Sequence, residues 1–576
     1  MKRASVLIFL CLFLFSLAAN SQDYYAVSSP EWKAVDSLCH YAGVTGPSSN
    51  GPVTKAQLVL ALDRAEDEIG AEDAFLLYVR SLLSDEDATI TDGVGSVTIS
   101  LEGNAEDYAL IGDLYDADVF RVKDRYTFLS PSRERSPLFN VGAEFSLLDY
   151  AYGRFNYNFT RDEFSADIWN SRFSTNLSLV FSQSFPYDAG ISIGTDNLNI
   201  MAAKGKASLG EGYTGNTAVG DNYDYQEFVK ASLFSPYMGL YLRLTSFDSS
   251  HDASLTDNPY ALVSSRFSGW KQLRHEMGFE ILFTGNTRLT ASLINLLDTT
   301  SSFDVRMLNP FSVIHNMFNY TDHTVFESNN MLTIDFSYSP VRKWNLYFQF
   351  SLDQSQSKGE VEAYGEKLDP NAFAYLFNVS WSDYISDGIL NVYLEGVCTD
   401  PGMYLNTKYY ASADDDTVTV TDNGRYCWSQ DWLLGYWRND SYGDVNYSGY
   451  IYGPDCIVVV LGSGYTHALF SVEGRVMYMA HGEKGRGSSI DNYTFSGINS
   501  RATYNTKTPY GTVEHTALVS IDGEYNMTQY LSLSLGAAYS YIWNYGNESG
   551  RNRSSLELVF GVTIKGTVPT ILRRDR

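Results

Sequence analysis

The feature that most constrains this chain is a strict two-residue period in hydrophobicity, held over stretches longer than an ordinary strand. In Leu531, Leu533, Leu535, Ala537, Tyr539 and Tyr541 every second residue is apolar, while Ser532, Ser534, Gly536, Ala538 and Ser540 between them are small or polar. Leu332, Ile334, Phe336 and Tyr338 alternate in the same way with Thr333, Asp335, Ser337 and Ser339. So do Trp344, Leu346, Phe348, Phe350 and Leu352 with Asn345, Tyr347, Gln349 and Ser351, and Leu556, Leu558, Phe560, Val562 and Ile564 near the end. A period of two predicts strands with one apolar and one wet face. Strands of soluble sandwiches run to about 5 or 6 residues, whereas strands that cross a bilayer need roughly 9 to 11. These are of the longer kind.

Connections sharpen that reading. Short turns such as Pro340-Val341-Arg342 and Asn526 to Thr528 alternate with long polar segments at 198–222, 249–272, 299–328, 354–370, 399–453 and 482–513. Short turns at one rim and long loops at the other are the asymmetry of outer-membrane barrels. The expected fold is therefore all-β: a large antiparallel transmembrane β-barrel. Counting alternating segments gives about 18 strands from roughly residue 138 onward, wide enough for a water-filled lumen.

Composition agrees. The chain holds 43 Tyr, 32 Phe and 9 Trp, yet hydrophobic residues make up only 44% of it and mean hydropathy is −0.20. A helical membrane protein would be far more apolar; alternating lipid-facing and water-facing side chains with aromatic girdles match these values. A net charge of −27 argues against nucleic acid as a partner, because phosphates need basic surface.

Lys2 and Arg3 precede an uncharged apolar run from Val6 to Ala19, so residues 1–21 read as a cleavable signal peptide. No later apolar run reaches the roughly 18 to 20 residues of a spanning helix. The expected location is the outer membrane, with lipid and the barrel-assembly machinery as partners.

Residues 22–92 read as a small periplasmic helical segment ahead of the barrel at 93–576. Ser29 can cap a helix that starts at Pro30 and stops at Gly43. Thr54 and Gln57 form a capping box for a second helix with Leu58, Ala61, Leu62, Ala65 and Ile69 on one face. A third is expected over about Glu72 to Leu83. Such short helices are too few for a core of their own.

No catalytic constellation, cofactor motif or metal-ligand spacing stands out, so neither an enzyme nor a metalloprotein is expected. His315 and His323, and the run Asp414-Asp415-Asp416, read as solvated loop residues. Among the later cysteines a disulfide is expected, Cys398 with Cys427 or Cys427 with Cys456, because they bracket one long irregular segment.

Two groups could bind a ligand. With Met277, Phe279, Ile281 and Phe283 facing lipid, Arg274, Glu276 and Glu280 face the lumen, as does Arg288 on the next strand. They can form an ion-pair network that stiffens the wall, or a ligand site. The segment 399–453 is rich in rings, among them Trp428, Trp432, Tyr436 and Trp437, set among Asp, Asn and Ser. Flat rings stack on sugar faces while amides and carboxylates reach hydroxyls; such loops also suit protein contact.

Short landmarks occur in a telling order. Gly194-Thr195-Asp196-Asn197 is followed by Gly215-Asn216-Thr217-Ala218-Val219-Gly220-Asp221-Asn222, then Arg274-His275-Glu276, Leu308-Asn309-Pro310-Phe311 with Asn329, and Gly453-Pro454-Asp455. In this order the chain resembles the Wzi capsule-assembly family of outer-membrane barrels. The tryptophan between the first two landmarks is missing, and the family's His-Arg-x-Glu strand is altered in order. The resemblance implies a barrel of about 18 strands that binds extracellular polysaccharide and anchors or helps assemble capsule. The alternative is a porin or channel for small polar solutes.

Overall fold

The computed structural model describes residues 22–83, 93–112, 136–147, 150–159, 173–175, 188–223, 226–247, 271–299, 326–355, 357–364, 371–404, 406–410, 425–429, 433–438, 441–483, 494–495 and 507–573. The expected signal peptide lies outside them.

Eighteen strands close into one antiparallel barrel. In chain order they are β1 (Gly93–Gly112), β2 (Phe139–Leu147), β3 (Ala151–Phe159), β4 (Asp188–Gly194), β5 (Leu198–Gly205), β6 (Gln226–Phe234), β7 (Met238–Phe247), β8 (Lys271–Thr284) and β9 (Thr287–Thr299). There follow β10 (Phe326–Val341), β11 (Trp344–Gln354), β12 (Ala372–Ile385), β13 (Gly388–Thr399), β14 (Cys456–His467), β15 (Phe470–His481), β16 (Glu514–Thr528), β17 (Leu531–Trp543) and β18 (Arg553–Arg573). Each pairs with the next, and β18 pairs with β1 to close the ring. The three-residue stretch Phe173–Thr175 adds a pairing on β1 above the end of β2. The count starts at β1 rather than near residue 138, and the segment predicted as a connection from 198 opens with strand β5.

The predicted registers hold, with burial inverted relative to a soluble protein. Thr333, Asp335, Ser337 and Ser339 are buried, as are Ser532 and Ser540, while Leu535, Val519 and Ile564 are exposed. Closure satisfies every ladder, which is what a sheet needs inside lipid. Tyr237, Trp344, Tyr525 and Tyr530 mark the short-turn rim, and Tyr375, Tyr478 and Trp543 the opposite one. Such girdles sit at the two interfaces of a membrane barrel. The protein is therefore an outer-membrane β-barrel; among the described residues no helix is long and apolar enough to span a bilayer.

Turn chemistry shapes the short rim. Ser386 and Asp387 both have positive φ between β12 and β13, and Lys343 has φ 74° between β10 and β11. Left-handed residues in two-residue hairpins match the twist of the flanking strands.

Three helices close the short-turn end. Helix α1 (Pro30–Ala42) is capped by Ser29, which accepts from Trp32 N, and ends at Gly43 with φ 83°. Helix α2 (Lys55–Ile69) begins where the Gln57 side-chain oxygen accepts from Thr54 N at 3.0 Å. Helix α3 (Ala74–Leu83) starts two residues later than predicted, because Asp73 Oδ1 accepts from Phe75 N and Leu76 N. Their apolar faces share a core with Ile389 and Tyr384 of the wall.

The expected cysteine bridge is corrected. Cys398 and Cys456 both carry thiols. A direct bridge between those two is excluded as well: Thr399, not Cys398, is the register partner of Cys456, and a one-residue offset sends the two thiols to opposite faces of the sheet. The side chain of Cys427 lies outside the described residues.

Candidate functional site

Arg274, Glu276, Glu280 and Arg288 do face the lumen, but the protein's own groups occupy them. Glu276 takes the Nε of Arg243 at 3.0 Å and of Arg274 at 2.8 Å. Arg274 also reaches Ser448 Oγ at 2.9 Å and Gln226 Oε1 at 2.5 Å. Glu280 accepts from Ser48 Oγ at 3.0 Å, and Arg288 donates to the Gly46 carbonyl at 2.9 Å and to that of Pro47. Arg274 and Glu276 form an ion-pair network with Arg243, whereas Glu280 and Arg288 hold Ser48, Gly46 and Pro47 of the protein's own chain.

The same wall pins the chain that joins α1 to α2. Lys230 donates to the carbonyls of Asn50 and Pro52, and Arg243 to that of Gly51. Residues 44–53 thus run inside the barrel, their carbonyls met by buried cations. Pairing of this kind makes a buried charge tolerable. Lys230 and Arg243 fall on lumenal positions of β6 and β7, a signal that alternation alone could have exposed.

A second segment of the chain also fills the lumen. Residues 206–223, expected as part of an outward loop, fold inward. Leu209 pairs with Asn50 on one side and Val219 on the other. Glu395 on β13 accepts from Tyr213 N at 2.7 Å and from Thr214 N at 2.8 Å. Gln349 on β11 accepts from Thr217 N at 2.7 Å. The Tyr213 ring lies flat on Tyr393, with centroids 3.7 Å apart.

One of the landmarks shapes this inward loop. Gly215, with φ 119°, makes the bend that lets Asn216 Oδ1 accept from Gly212 N at 2.9 Å. Asp221 precedes Asn222, whose amide donates to the Gly449 carbonyl at 2.6 Å. Gly453-Pro454-Asp455 leads into β14, with Gly453 O accepting from Thr399 Oγ1 at 3.0 Å. Gly194 and Asp196 lie at the β4–β5 turn. Asn309 and Pro310 lie outside the described residues.

The aromatic segment divides. Tyr404 and Tyr450 are fully buried; Tyr404 donates to the Thr217 carbonyl at 2.5 Å, and the Tyr450 hydroxyl sits 3.0 Å from Thr214 Oγ1. These two rings are props for the lumenal loop. Trp428, Tyr436 and Trp437 fall on short strands, Arg425–Ser429 and Leu433–Arg438, whose side chains lie outside the described residues, as does Trp432 altogether. The Asp414–Asp416 run, His315 and His323 also lie outside.

Between α1, the lumenal loop and the wall lies a cavity of about 710 Å³ lined by Tyr213, Tyr393, Asn345, Asn378, Asn391 and Arg475 among others. Its lining mixes flat rings, amides and charge. Asp36 and His40, one helical turn apart on α1, meet Glu211 there; their potential ligand atoms lie within 4.8 Å of one another. Burial pushes the Asp36 carboxyl up, against the opposing pull of His40 and Arg288, and holds the His40 imidazole below its ordinary value. Sequence reasoning passed over this trio because it sought paired histidines, and because Glu211 joins them only through the inward fold of its loop.

No protein-family model matches the chain, and no curated protein matches it. Among solved structures, the Wzi barrel of Escherichia coli, described as an outer-membrane protein involved in group 1 capsule assembly and a carbohydrate-binding β-barrel, aligns with 95% of this chain and 99% of its own. The identity is 13% and the TM-score 0.49. OccAB4 of Acinetobacter baumannii aligns with 83% of this chain and 99% of its own at 9% identity and TM-score 0.37. OprD of Pseudomonas aeruginosa covers the same shares at 9% identity and TM-score 0.34.

Proposed function

We propose that this barrel binds extracellular polysaccharide and anchors it, or helps assemble it, at the cell surface. One observation carries the reading: the described lumen is crossed by two segments of the protein's own chain, 44–53 and 206–223, each hydrogen-bonded to the wall. Polar side chains that would line an open pore are spent on holding these segments. A surface-binding barrel needs a rigid, closed frame beneath its loops; a diffusion pore needs the opposite. Two of the ordered landmarks, Gly215 to Asn222 and Arg274 to Glu276, shape the inward loop or its supports and point the same way.

A second reading, a channel for small polar solutes, draws on the polar cavity of about 710 Å³, which is the size of a small-ligand site. Two measurements on the purified full-length barrel separate them. Isothermal titration with the organism's own surface polysaccharides should give saturable binding, and planar bilayers should show no steady conductance. Ohmic conductance without glycan binding would transfer the protein to the channel reading.

A further inference from the structure

The geometry points to a divalent transition-metal site at Asp36, His40 and Glu211, a latch between the helical plug and the lumenal loop. His40 is 2% exposed, yet neither ring nitrogen nor Asp36 Oδ1 has a hydrogen-bond partner, while Glu211 Oε1 meets Arg288 Nη2. His40 Nε2 lies 3.4 Å from Asp36 Oδ1. A native interior rarely leaves several lone pairs unmatched around one point.

A metal ion would match them together. One imidazole nitrogen and two carboxylate oxygens form a donor set suited to zinc, which binds such atoms at about 2.0–2.2 Å and takes a fourth ligand. All three residues line the cavity of about 710 Å³, which supplies both an entry path and space for a water in that fourth position. Two carboxylates oppose the charge of a dication, and Arg288 beside Glu211 adds one positive charge to the site. Arg288 contacts Glu211 and is tethered to the Gly46 and Pro47 carbonyls. It therefore stays in the outer shell as a donor that orients the Glu211 carboxylate.

The site joins α1 to a loop that enters from the far rim. Zinc bound here fixes the plug and the lumenal loop relative to each other. It is independent of any glycan at the surface.

The test uses the full mature barrel in detergent, with folding verified by heat-modifiable gel migration. After dialysis against Zn²⁺ and washing, metal analysis should find a single retained ion. Both His40→Gln and Asp36→Asn should weaken retention more than the about 10–100-fold that loss of an outer-shell partner brings. His467→Gln, at the short-turn rim, should retain it. Cobalt in place of zinc should give a visible spectrum typical of nitrogen and oxygen ligands, absent in His40→Gln. A folded wild type that retains no stoichiometric zinc overturns the site, and so does equal retention by folded His40→Gln.

Discussion

Gln349 on the barrel wall accepts from both the backbone amide and the hydroxyl of Thr217, at 2.7 and 2.8 Å. Its own amide donates to the Leu209 carbonyl at 3.1 Å, so one side chain holds both limbs of the lumenal loop. Replacement by leucine keeps the volume and leaves a buried N–H and a buried C=O without partners. At about 1–3 kcal/mol for each of the two unmatched groups, Gln349→Leu should lower stability by about 2–6 kcal/mol. The urea midpoint of heat-modifiable migration reads this, and an unchanged midpoint would remove Gln349 as the anchor.

Glu395 holds the tip of the same loop through Tyr213 N, Thr214 N and the Thr214 hydroxyl. Glu395→Ala strips all three acceptor contacts at once, whereas Glu395→Gln keeps one acceptor oxygen. Bilayer recordings should show conductance steps in the alanine variant, fewer in the glutamine variant and none in wild type. Equal silence in all three would mean that the loop stays seated without Glu395.

The barrel was legible because lipid enforces one rule on every spanning strand. Leu332 to Tyr338 and Leu531 to Tyr541 show their faces in sequence, and the structure keeps both registers. The helix caps at Ser29 and Thr54 were legible for a similar local reason. What was not legible is the inside. Residues 206–223 are polar and glycine-rich, as an outward loop would be; the partners that draw them in are Gln349 and Glu395, far along the chain. Tyr404 and Tyr450 belong to the ring-rich segment 399–453 yet are buried, and composition does not separate a buried tyrosine with a hydrogen-bonded hydroxyl from an exposed one. The bridge expected from Cys427 to Cys398 or to Cys456 is not formed at either of those two, each of which keeps a free thiol.

His40 links the plug to pH. Burial lowers its folded value below the ordinary 6.5, so the neutral ring is favoured in the fold. A depressed value contributes stability that is present above the unfolded value and is lost as pH falls through the folded one. With metal chelated, the plug should loosen as pH drops below about 6.5. Asp36, shifted up by the same burial, acts with the opposite sign, so the difference between wild type and His40→Gln isolates the histidine. Limited proteolysis of residues 22–83 across pH 7.5 to 5 measures it; parallel profiles for the two proteins would exclude His40 as the source.

Tyr384 ties the plug to the short-turn rim. The Phe75 ring of α3 stacks on it at 4.9 Å and 11°, Tyr78 leans on it at 5.8 Å, and Tyr41 meets Phe75 edge-on at 5.4 Å. Each such pair adds about 0.5–1.5 kcal/mol beyond area burial, and Tyr384 takes part in two of them. Because it stands at the end of β12 next to a two-residue turn, its truncation leaves the ladder bonds of the barrel intact. Tyr384→Ala should therefore raise proteolytic cleavage within residues 22–83 roughly tenfold, the equivalent of about 1.4 kcal/mol, while the heat-modifiable migration of the barrel stays as in wild type. Faster cleavage with a lowered barrel midpoint would instead make Tyr384 part of the wall's own stability, and unchanged cleavage would place the plug's anchorage on Lys343, whose amide donates to the His40 carbonyl at 2.6 Å.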